Sequence, residues 1–210
     1  MHAPVNWYLA SSNPGKLAEF RVLALGATHS RPEIELELAP WFDSLPRFDE
    51  DAPTFAENAL GKALYHSAGH DGFLFADDSG LVVPALGGAP GVLSARYAGA
   101  TATSAERNAK LLAELQGKTG SERSAYFVCA IALVERGRAI AIVTDRADGL
   151  ILNTPRGEAG FGYDPVFYIP ELTKTFAELS SEEKNDRSHR GKAFRRLVRL
   201  VRNDPATASR

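Results

Sequence analysis

Two β-rich runs, residues 124–134 and 139–152, are separated only by Glu135-Arg-Gly-Arg138. So short a connection predicts an antiparallel hairpin. Elsewhere in the chain, short apolar runs alternate with helical patterns, which is typical of βα units with parallel strands. A sheet with both kinds of connection has to be mixed. The sequence therefore predicts an α/β fold built on a mixed β-sheet, and it shows no boundary between lobes.

The other elements are predicted from local signals. Further strands are expected over residues 7–10, 31–42, 72–76 and 165–169. Helices are expected to begin at Asn13-Pro14 and at the capping boxes Thr54-Phe-Ala-Glu57 and Thr103-Ser-Ala-Glu106. From Thr175 a helical C-terminal region is expected to run to about Asn203. Without internal repeats or low-complexity linkers, residues 1–210 are interpreted as a single domain.

Composition excludes several classes of protein. The net charge of −2 argues against a general nucleic-acid binder, which needs a basic excess. The single cysteine, Cys129, excludes an intramolecular disulfide framework and a multi-cysteine zinc site. No stretch is apolar enough to span a bilayer, and the N-terminus lacks a signal-peptide pattern. We expect a cytoplasmic protein without membrane or nucleic-acid partners.

The segment Ser11-Ser12-Asn13-Pro14-Gly15-Lys16 joins the first strand to the first helix. It has two compatible interpretations. Asn13 and Pro14 suit the start of a helix, so the segment can simply cap it. The N-terminus of a helix also attracts anions, and Lys16 adds a full positive charge, so the same segment can bind phosphate.

Asp77 and Asp78 follow the buried run GFLFA. Alternation along a strand sends the two carboxylates in opposite directions, so one of them can face a cleft and hold Mg²⁺. The alternative is a turn over Asp78-Ser79-Gly80. Glu50, in an acidic loop, becomes relevant only if folding brings it near Asp78. Asn58 and Lys62 share a helix face, which we expect to be exposed to solvent, the alternative being a polar face that lines a cleft.

Two later stretches offer ligand contacts. Gly160-Phe161-Gly162-Tyr163-Asp164 combines aromatic rings with glycines, which suits stacking on a base or, alternatively, a turn packed on the core. Lys184, His189 and Arg190 place donors and cations in a compact region that can recognise carbonyl oxygens or phosphates. A polar junction between helices is the alternative.

Together these features describe a nucleoside triphosphate site, and their order adds a family resemblance. The series SSNPGK, TFAENALGKA, ADDSGL, LGGAPGVLSARYAG, GFGYDPVF and AELSSEEKNDRSHRGKA closely resembles the RdgB-type inosine/xanthosine triphosphate pyrophosphatases, from residue 7 to about residue 200. The resemblance implies an elongated mixed β-sheet flanked by helices, with two lobes and a central cleft, related to the Maf fold. It also implies a homodimer that uses Mg²⁺ to hydrolyse ITP, dITP and XTP to the monophosphate and pyrophosphate.

The resemblance assigns roles to individual residues. Ser11, Ser12, Asn13, Pro14, Gly15 and Lys16 match the family's phosphate-binding segment. Asp78 matches the catalytic carboxylate and metal ligand, Glu50 a second metal ligand and Ser79 a substrate contact.

The resemblance assigns recognition of the purine base to the later motifs. Phe161 matches the residue that stacks on the purine. Together with Gly162, Tyr163 and Asp164 it forms the surface against which the base would lie, the base wall. Lys184, His189 and Arg190 match the readers of the base edge. Arg187 and the loop Asp51-Ala-Pro53 depart from the family pattern. A Maf-type pyrophosphatase and a non-catalytic nucleotide-binding protein are the rival interpretations.

Overall fold

The computed structural model describes residues 5–11, 13–26 and 34–202. Within them, one sheet has the strand order β2-β1-β3-β4-β5-β6-β7. The strands are β1 (Val5–Leu9), β2 (Ile34–Leu38), β3 (Phe73–Val82), β4 (Ser124–Glu135), β5 (Arg138–Ile151), β6 (Phe167–Ile169) and β7 (Lys174–Thr175). Strand β1 is parallel to β2 and β3, whereas β6 is antiparallel to β5 and β7. The predicted α/β fold with a mixed sheet is confirmed.

Five α-helices lie in the described ranges: α1 (Pro14–Gly26), α2 (Phe55–Ser67), α3 (Ser104–Glu114), α4 (Ser181–Arg187) and α5 (His189–Arg202). The predicted caps are present. Thr54 accepts a hydrogen bond from the Glu57 amide, and Thr103 and Glu106 form a complete capping box. Within residues 5–11, 13–26 and 34–202, none of the helices has the length and apolar character that crossing a bilayer requires.

The chain divides into two compact units. The first comprises residues up to 78, 129–145 and 190 onward. In its core, Phe20 of α1 packs edge-on against Phe75 of β3, with ring centroids 5.1 Å apart, and lies 5.2 Å from Phe194 of α5. Cys129 is buried in the same cluster, as a small hydrophobe.

A second cluster of the first unit consists mostly of alanines. It brings together Ala59 and Ala63 of α2 with Ala76 of β3 and with Ala130 and Ala132 of β4. Side chains this small leave little distance between a helix and the strands beneath it. Helix α2 therefore lies close to the sheet, and polar residues on its inner face become buried.

The second unit comprises residues 79–128 and 146–189. Phe127, Phe167 and Phe176 form its aromatic centre, with the ring centroids of Phe127 and Phe167 4.6 Å apart. Buried Arg123 donates to four backbone carbonyls, those of Leu115, Lys118, Ile151 and Leu152. A guanidinium is suited to this task because its donors are fixed in one plane.

The hairpin prediction is confirmed: β4 and β5 are neighbours in the sheet, and Arg136 and Gly137 form the turn, both with positive φ. One prediction of extent is wrong. Strand β3 does not end at residue 76 but runs through Asp77 and Asp78 to Val82, so the alternative of a turn at Asp78 is also wrong. The region after Thr175 is helical as predicted, and it is divided into a short helix that Ser180 caps and that ends at Arg187, and α5, which ends at Arg202. The predicted cleft between two lobes stays a prediction.

Candidate active site

The segment before α1 is organised by Asn13. Its side-chain oxygen accepts hydrogen bonds from the backbone amides of Gly15, at 2.9 Å, and Lys16, at 3.4 Å. The Ser11 hydroxyl in turn accepts from the Asn13 amide at 3.1 Å. Asn13 therefore caps the helix, as the sequence predicts, and Pro14 is its first residue. Ser12 lies outside the described residues.

Lys16 reaches from this first turn to a buried acid. Its ammonium lies 2.9 Å from Oδ1 of Asp77, a side chain with no solvent exposure. Burial opposes ionisation of Asp77, but the cations of Lys16, Arg190 and Lys62 outweigh it and hold the pKa of Asp77 well below its usual range. Asp77 is therefore a permanent anion that orients Lys16.

Asp78, the next residue along β3, has the opposite electrostatic environment. Burial and the nearby carboxylate of Glu50 raise the pKa of Asp78 to about 6. Its Oδ2 accepts a 3.0 Å hydrogen bond from the side-chain amide of Asn58. Folding thus does bring the acidic loop to Asp78, which the sequence alone left open. Asp78 and Glu50 are therefore neighbouring carboxylates, and one bound cation would stabilise the charge of both.

The prediction that Asn58 and Lys62 face solvent is wrong. Asn58 is only 1% exposed, and Lys62 is also buried. The Lys62 ammonium donates to the Asp77 carbonyl at 2.7 Å and forms an ion pair with Glu50. Burial works against the charge of Lys62, but Asp77, Glu50 and Asp78 together raise its pKa. The sequence signal that could have revealed this burial is the pair Ala59 and Ala63, each next to one of these residues. Their small side chains mark the side of α2 that packs on the sheet.

Asn58 also holds the acidic loop. Its oxygen accepts from the backbone amide of Ala52 at 2.9 Å, two residues after Glu50, while its nitrogen binds Asp78. One buried amide therefore ties the loop to the strand. The motif TFAENALGKA contains this residue, but its linking role could not be predicted because the loop and β3 are distant in sequence.

The donor set fits a hard divalent cation. Glu50 and Asp78 provide carboxylate oxygens, and the charge of Glu50 is, after burial, a cause of the raised pKa of Asp78. The described residues include no group of three or more Asp, Glu, His or Cys side chains suited to a metal ion. A cation here would need ligands from the substrate or water as well, a pattern typical of Mg²⁺ with phosphates.

In the second unit, Asp164 organises the predicted base wall. Buried Asp164 accepts through Oδ2 from the Phe161 amide at 2.8 Å and from the Lys184 ammonium at 2.7 Å. The Lys184 nitrogen also lies 4.9 Å from the centre of the Phe161 ring. Phe161 itself is 42% exposed, an accessible flat surface. The alternative of aromatics packed on the core holds only for Tyr163, which is buried.

Other contacts fix the same loop. The Tyr163 hydroxyl donates to the Ser94 carbonyl at 2.9 Å, and the Asn108 amide donates to the Gly162 carbonyl at 3.2 Å. Asn108 lies on α3, far from the loop in sequence, and no motif pointed to it.

The remaining predicted residues divide between the units. Ser79 follows Asp78 on β3 and is half-buried. His189 is buried in the second unit and stacks on Phe127, with ring centroids 4.7 Å apart. Arg190 belongs to the first unit, where its guanidinium contacts Glu19 and Asp77. His189 and Arg190 are thus adjacent in sequence but belong to different units.

Comparison with known proteins agrees with these features. The Ham1 family model matches residues 7–200. A dITP/XTP pyrophosphatase of Geobacillus kaustophilus is 49% identical over 90% of each chain, and one of Gloeobacter violaceus is 48% identical over 90% of this chain and 91% of that one. The solved structure of a HAM1 protein from Coxiella burnetii has a TM-score of 0.83 and 42% identity, covering 95% of this chain and all of the other. The resemblance predicted from six motifs is confirmed, and the chain belongs to the Ham1 family.

Proposed function

We propose that this protein hydrolyses the non-canonical purine nucleoside triphosphates ITP, dITP and XTP to the monophosphate and pyrophosphate. The reaction would remove deaminated purines from the nucleotide pool. The observation that carries the proposal is the environment of Asp78, a buried carboxylate next to Glu50 and hydrogen-bonded to Asn58. Relatives with nearly half of their residues identical are named dITP/XTP pyrophosphatases, which supports the same substrate class.

The triphosphate is assigned to the segment Ser11–Lys16. The N-terminal end of α1 carries a partial positive charge, and the Lys16 ammonium has two further protons besides the one directed at Asp77. Since Asp77 is a permanent anion 2.9 Å away, it holds the Lys16 ammonium in one position. Ser79, directly after Asp78, is proposed as a further substrate contact.

Asp78 is proposed as the catalytic base. Glu50 and Asp78 would hold Mg²⁺, which when bound offsets phosphate charge and lowers the pKa of a water molecule. The hydrogen bond from Asn58 fixes one oxygen of Asp78, so the carboxylate has a single orientation toward the attacking water. Asp78 orients that water and receives its proton as the α-phosphorus is attacked and pyrophosphate leaves.

Base recognition is assigned to the second unit. Phe161 offers a ring for stacking, which contributes about 1–3 kcal/mol in comparable sites. Gly162, Tyr163 and Asp164 support that ring. Lys184 and His189 are the proposed donors to a 6-keto oxygen, and the family resemblance adds Arg190. Adenine, with an amino group at this position, would leave such donors unpaired, which is heavily penalised in a dry site.

The proposed homodimer follows from the family resemblance alone. The proposed cytoplasmic location rests on the single cysteine, and the absence of a nucleic-acid partner on the net charge of −2.

The proposed function is tested by pyrophosphate release from ITP, XTP, ATP and GTP, with Mg²⁺ and after its removal by a chelator. We expect hydrolysis of ITP and XTP far above that of ATP and GTP, lost without the metal and in Asp78→Asn. Asp71→Asn serves as the matched control, because that carboxylate is almost fully exposed. Equal cleavage of ATP and ITP, or full activity of Asp78→Asn, would refute the proposal.

A further inference from the structure

Two glycines flank the ring that is proposed to stack on the purine. Gly160 and Gly162, on either side of Phe161, have φ values of +77° and +65°. A glycine has no side chain to pack and can change its backbone conformation at low cost. The Phe161 side chain is 42% exposed, so burial in the core does not fix it. The position of the ring therefore depends on what holds the backbone of this loop.

Residues 161–164 form a turn that closes on itself. The Asp164 amide donates to the Phe161 carbonyl at 3.3 Å, and the Phe161 amide donates to Oδ2 of Asp164 at 2.8 Å. The carbonyl of Gly162, in the middle of the turn, accepts a hydrogen bond from outside it. The donor is the side-chain amide of Asn108, at 3.2 Å. This bond ties the middle of the turn to helix α3.

Helix α3 holds Asn108 on its inner face. Leu111 and Leu115, three and seven positions further along, are fully buried in the cluster that also contains Tyr163. Residues at these spacings share a helix face, and Asn108 is accordingly only 6% exposed. A complete capping box fixes the first turn of the helix. Asn108 is therefore carried by a rigid element, which suits a residue that orients another one.

The bond from Asn108 fixes one peptide plane of the loop. The Asn108 amide has to direct its nitrogen at the Gly162 carbonyl, because the opposite orientation would set two oxygens against each other. A peptide unit is planar, so this contact holds the whole unit between Gly162 and Tyr163. Beyond that unit, the Tyr163 hydroxyl donates to the Ser94 carbonyl at 2.9 Å. Without Asn108 the unit can rotate about the Gly162 backbone, and the ring of Phe161 moves with it.

We propose that Asn108 is a positioning residue for purine binding, which acts through the Gly162 carbonyl on the ring of Phe161. Asn108 itself does not contact the base in this proposal. The inference rests on the proposed function, in which Phe161 stacks on the purine. It follows that a helix outside the six motifs sets the affinity for the base without changing the affinity for the phosphates.

The test compares kinetics with ITP and XTP to the binding of inorganic tripolyphosphate, a probe without a base. Asn108→Leu keeps the approximate shape of the side chain and removes the donor. We expect KM for ITP and XTP to rise about tenfold, the upper range for one neutral hydrogen bond, with little change in kcat. Calorimetry with Mg²⁺ should show unchanged binding of tripolyphosphate, which is assigned to the first unit. Gln116→Leu is the matched control, since the Gln116 side chain is exposed just after the same helix.

Asn108→Asp separates positioning from packing, because the shape of the side chain is kept. The ionised carboxylate has no donor and faces a carbonyl oxygen, whereas the protonated form can donate its O–H to Gly162. Burial favours the protonated form, so the ratio of the variant's KM for ITP to that of the wild type should fall between about pH 8.5 and 5.5. A ratio that stays constant or rises over this range would overturn the inference.

A double-mutant cycle tests whether Asn108 acts through the ring. In a Phe161→Ala background, Asn108→Leu should have no further effect on KM for ITP, because the group it positions is gone. Effects that multiply would overturn the inference. So would tripolyphosphate binding that weakens in Asn108→Leu as much as KM for ITP rises, because the role would then be structural. Midpoints of thermal unfolding for every variant confirm that folded proteins are compared.

The proposed function fails on a different result. Wild-type protein that binds ITP in calorimetry more tightly than Asn108→Leu does, yet releases no pyrophosphate, would refute only the reaction. Wild-type protein that hydrolyses ITP with a KM that Asn108→Leu shares would refute only the role of Asn108.

Discussion

Gly160→Ala is expected to dismantle the base wall, and its effect can be estimated from the structure. Gly160 has φ +77°, and a Cβ built there would lie 2.1 Å from Oδ2 of Asp164. That oxygen accepts from both the Phe161 amide and Lys184. Gly162 provides the matched control, since its φ is +65° but nothing lies within 4 Å of an added Cβ.

Both substitutions introduce backbone strain, but only Gly160→Ala also displaces the Asp164 carboxylate. An alanine in the left-handed region costs roughly 1–2 kcal/mol at either position. At Gly160 the displaced carboxylate also loses at least one charge-assisted hydrogen bond, worth about 1.5–3 kcal/mol. Gly160→Ala should therefore reduce the free energy of unfolding by roughly 2.5–5 kcal/mol, and Gly162→Ala by only the roughly 1–2 kcal/mol of backbone strain.

Urea unfolding measures the stability difference, and steady-state kinetics with ITP measures its effect on recognition. The KM for ITP should rise strongly in Gly160→Ala, since the Phe161 ring loses its support. Binding of tripolyphosphate, which is assigned to the first unit, should not change. The reasoning fails if the two alanine variants are equally destabilised, because backbone strain would then explain the whole effect.

Three further predictions concern buried polar groups. Arg123→Met should lower the free energy of unfolding by roughly 3–5 kcal/mol in urea, because four carbonyls lose their donor; no change in the urea midpoint would contradict this. Asn58→Ala should reduce kcat for ITP about tenfold and raise the Mg²⁺ requirement, since both Asp78 and the Glu50 loop lose an anchor; normal kcat at low Mg²⁺ would refute it. Burial, and secondarily Lys62, lower the pKa of His66, so the unfolded chain binds its proton more readily. Wild-type stability should thus fall as pH drops through about 6.5, and His66→Leu should lose less between pH 7.5 and 5.5, compared by urea midpoints.

Local signals in the sequence predicted local structure well. Asn13 caps α1, Thr103 and Glu106 form their box, and the short turn at Gly137 joins two long strands. Each of these depends on residues within a few positions of one another. The prediction that β3 ends at residue 76 was wrong because contacts with distant segments determine where this strand ends. Asp78-Ser79-Gly80 has the composition of a turn, but neighbouring strands and buried partners keep it extended.

The acidic residues of the candidate site could be predicted from the sequence, but the contacts that join them to distant segments could not. Asp78 and Glu50 were named from the motif resemblance, whereas the burial of Lys62 was missed because helical spacing alone does not show what covers a face. The ion pairs of Asp77 with Lys16 and Arg190, and of Arg190 with Glu19, join α1, β3 and α5. A relation among three distant segments has no signature in one sequence, although every member carries an ordinary charge.

The alanine cluster beneath α2 has a consequence for genetic variation. Asn58 and Lys62 reach Asp78 and Asp77 only because Ala59, Ala63 and their neighbours are small. A conservative-looking exchange of such an alanine for valine would lift the helix and withdraw both side chains together. Loss-of-function alleles should therefore accumulate at apolar positions that no chemical motif marks. A screen that inspects only the charged residues would classify these alleles as harmless.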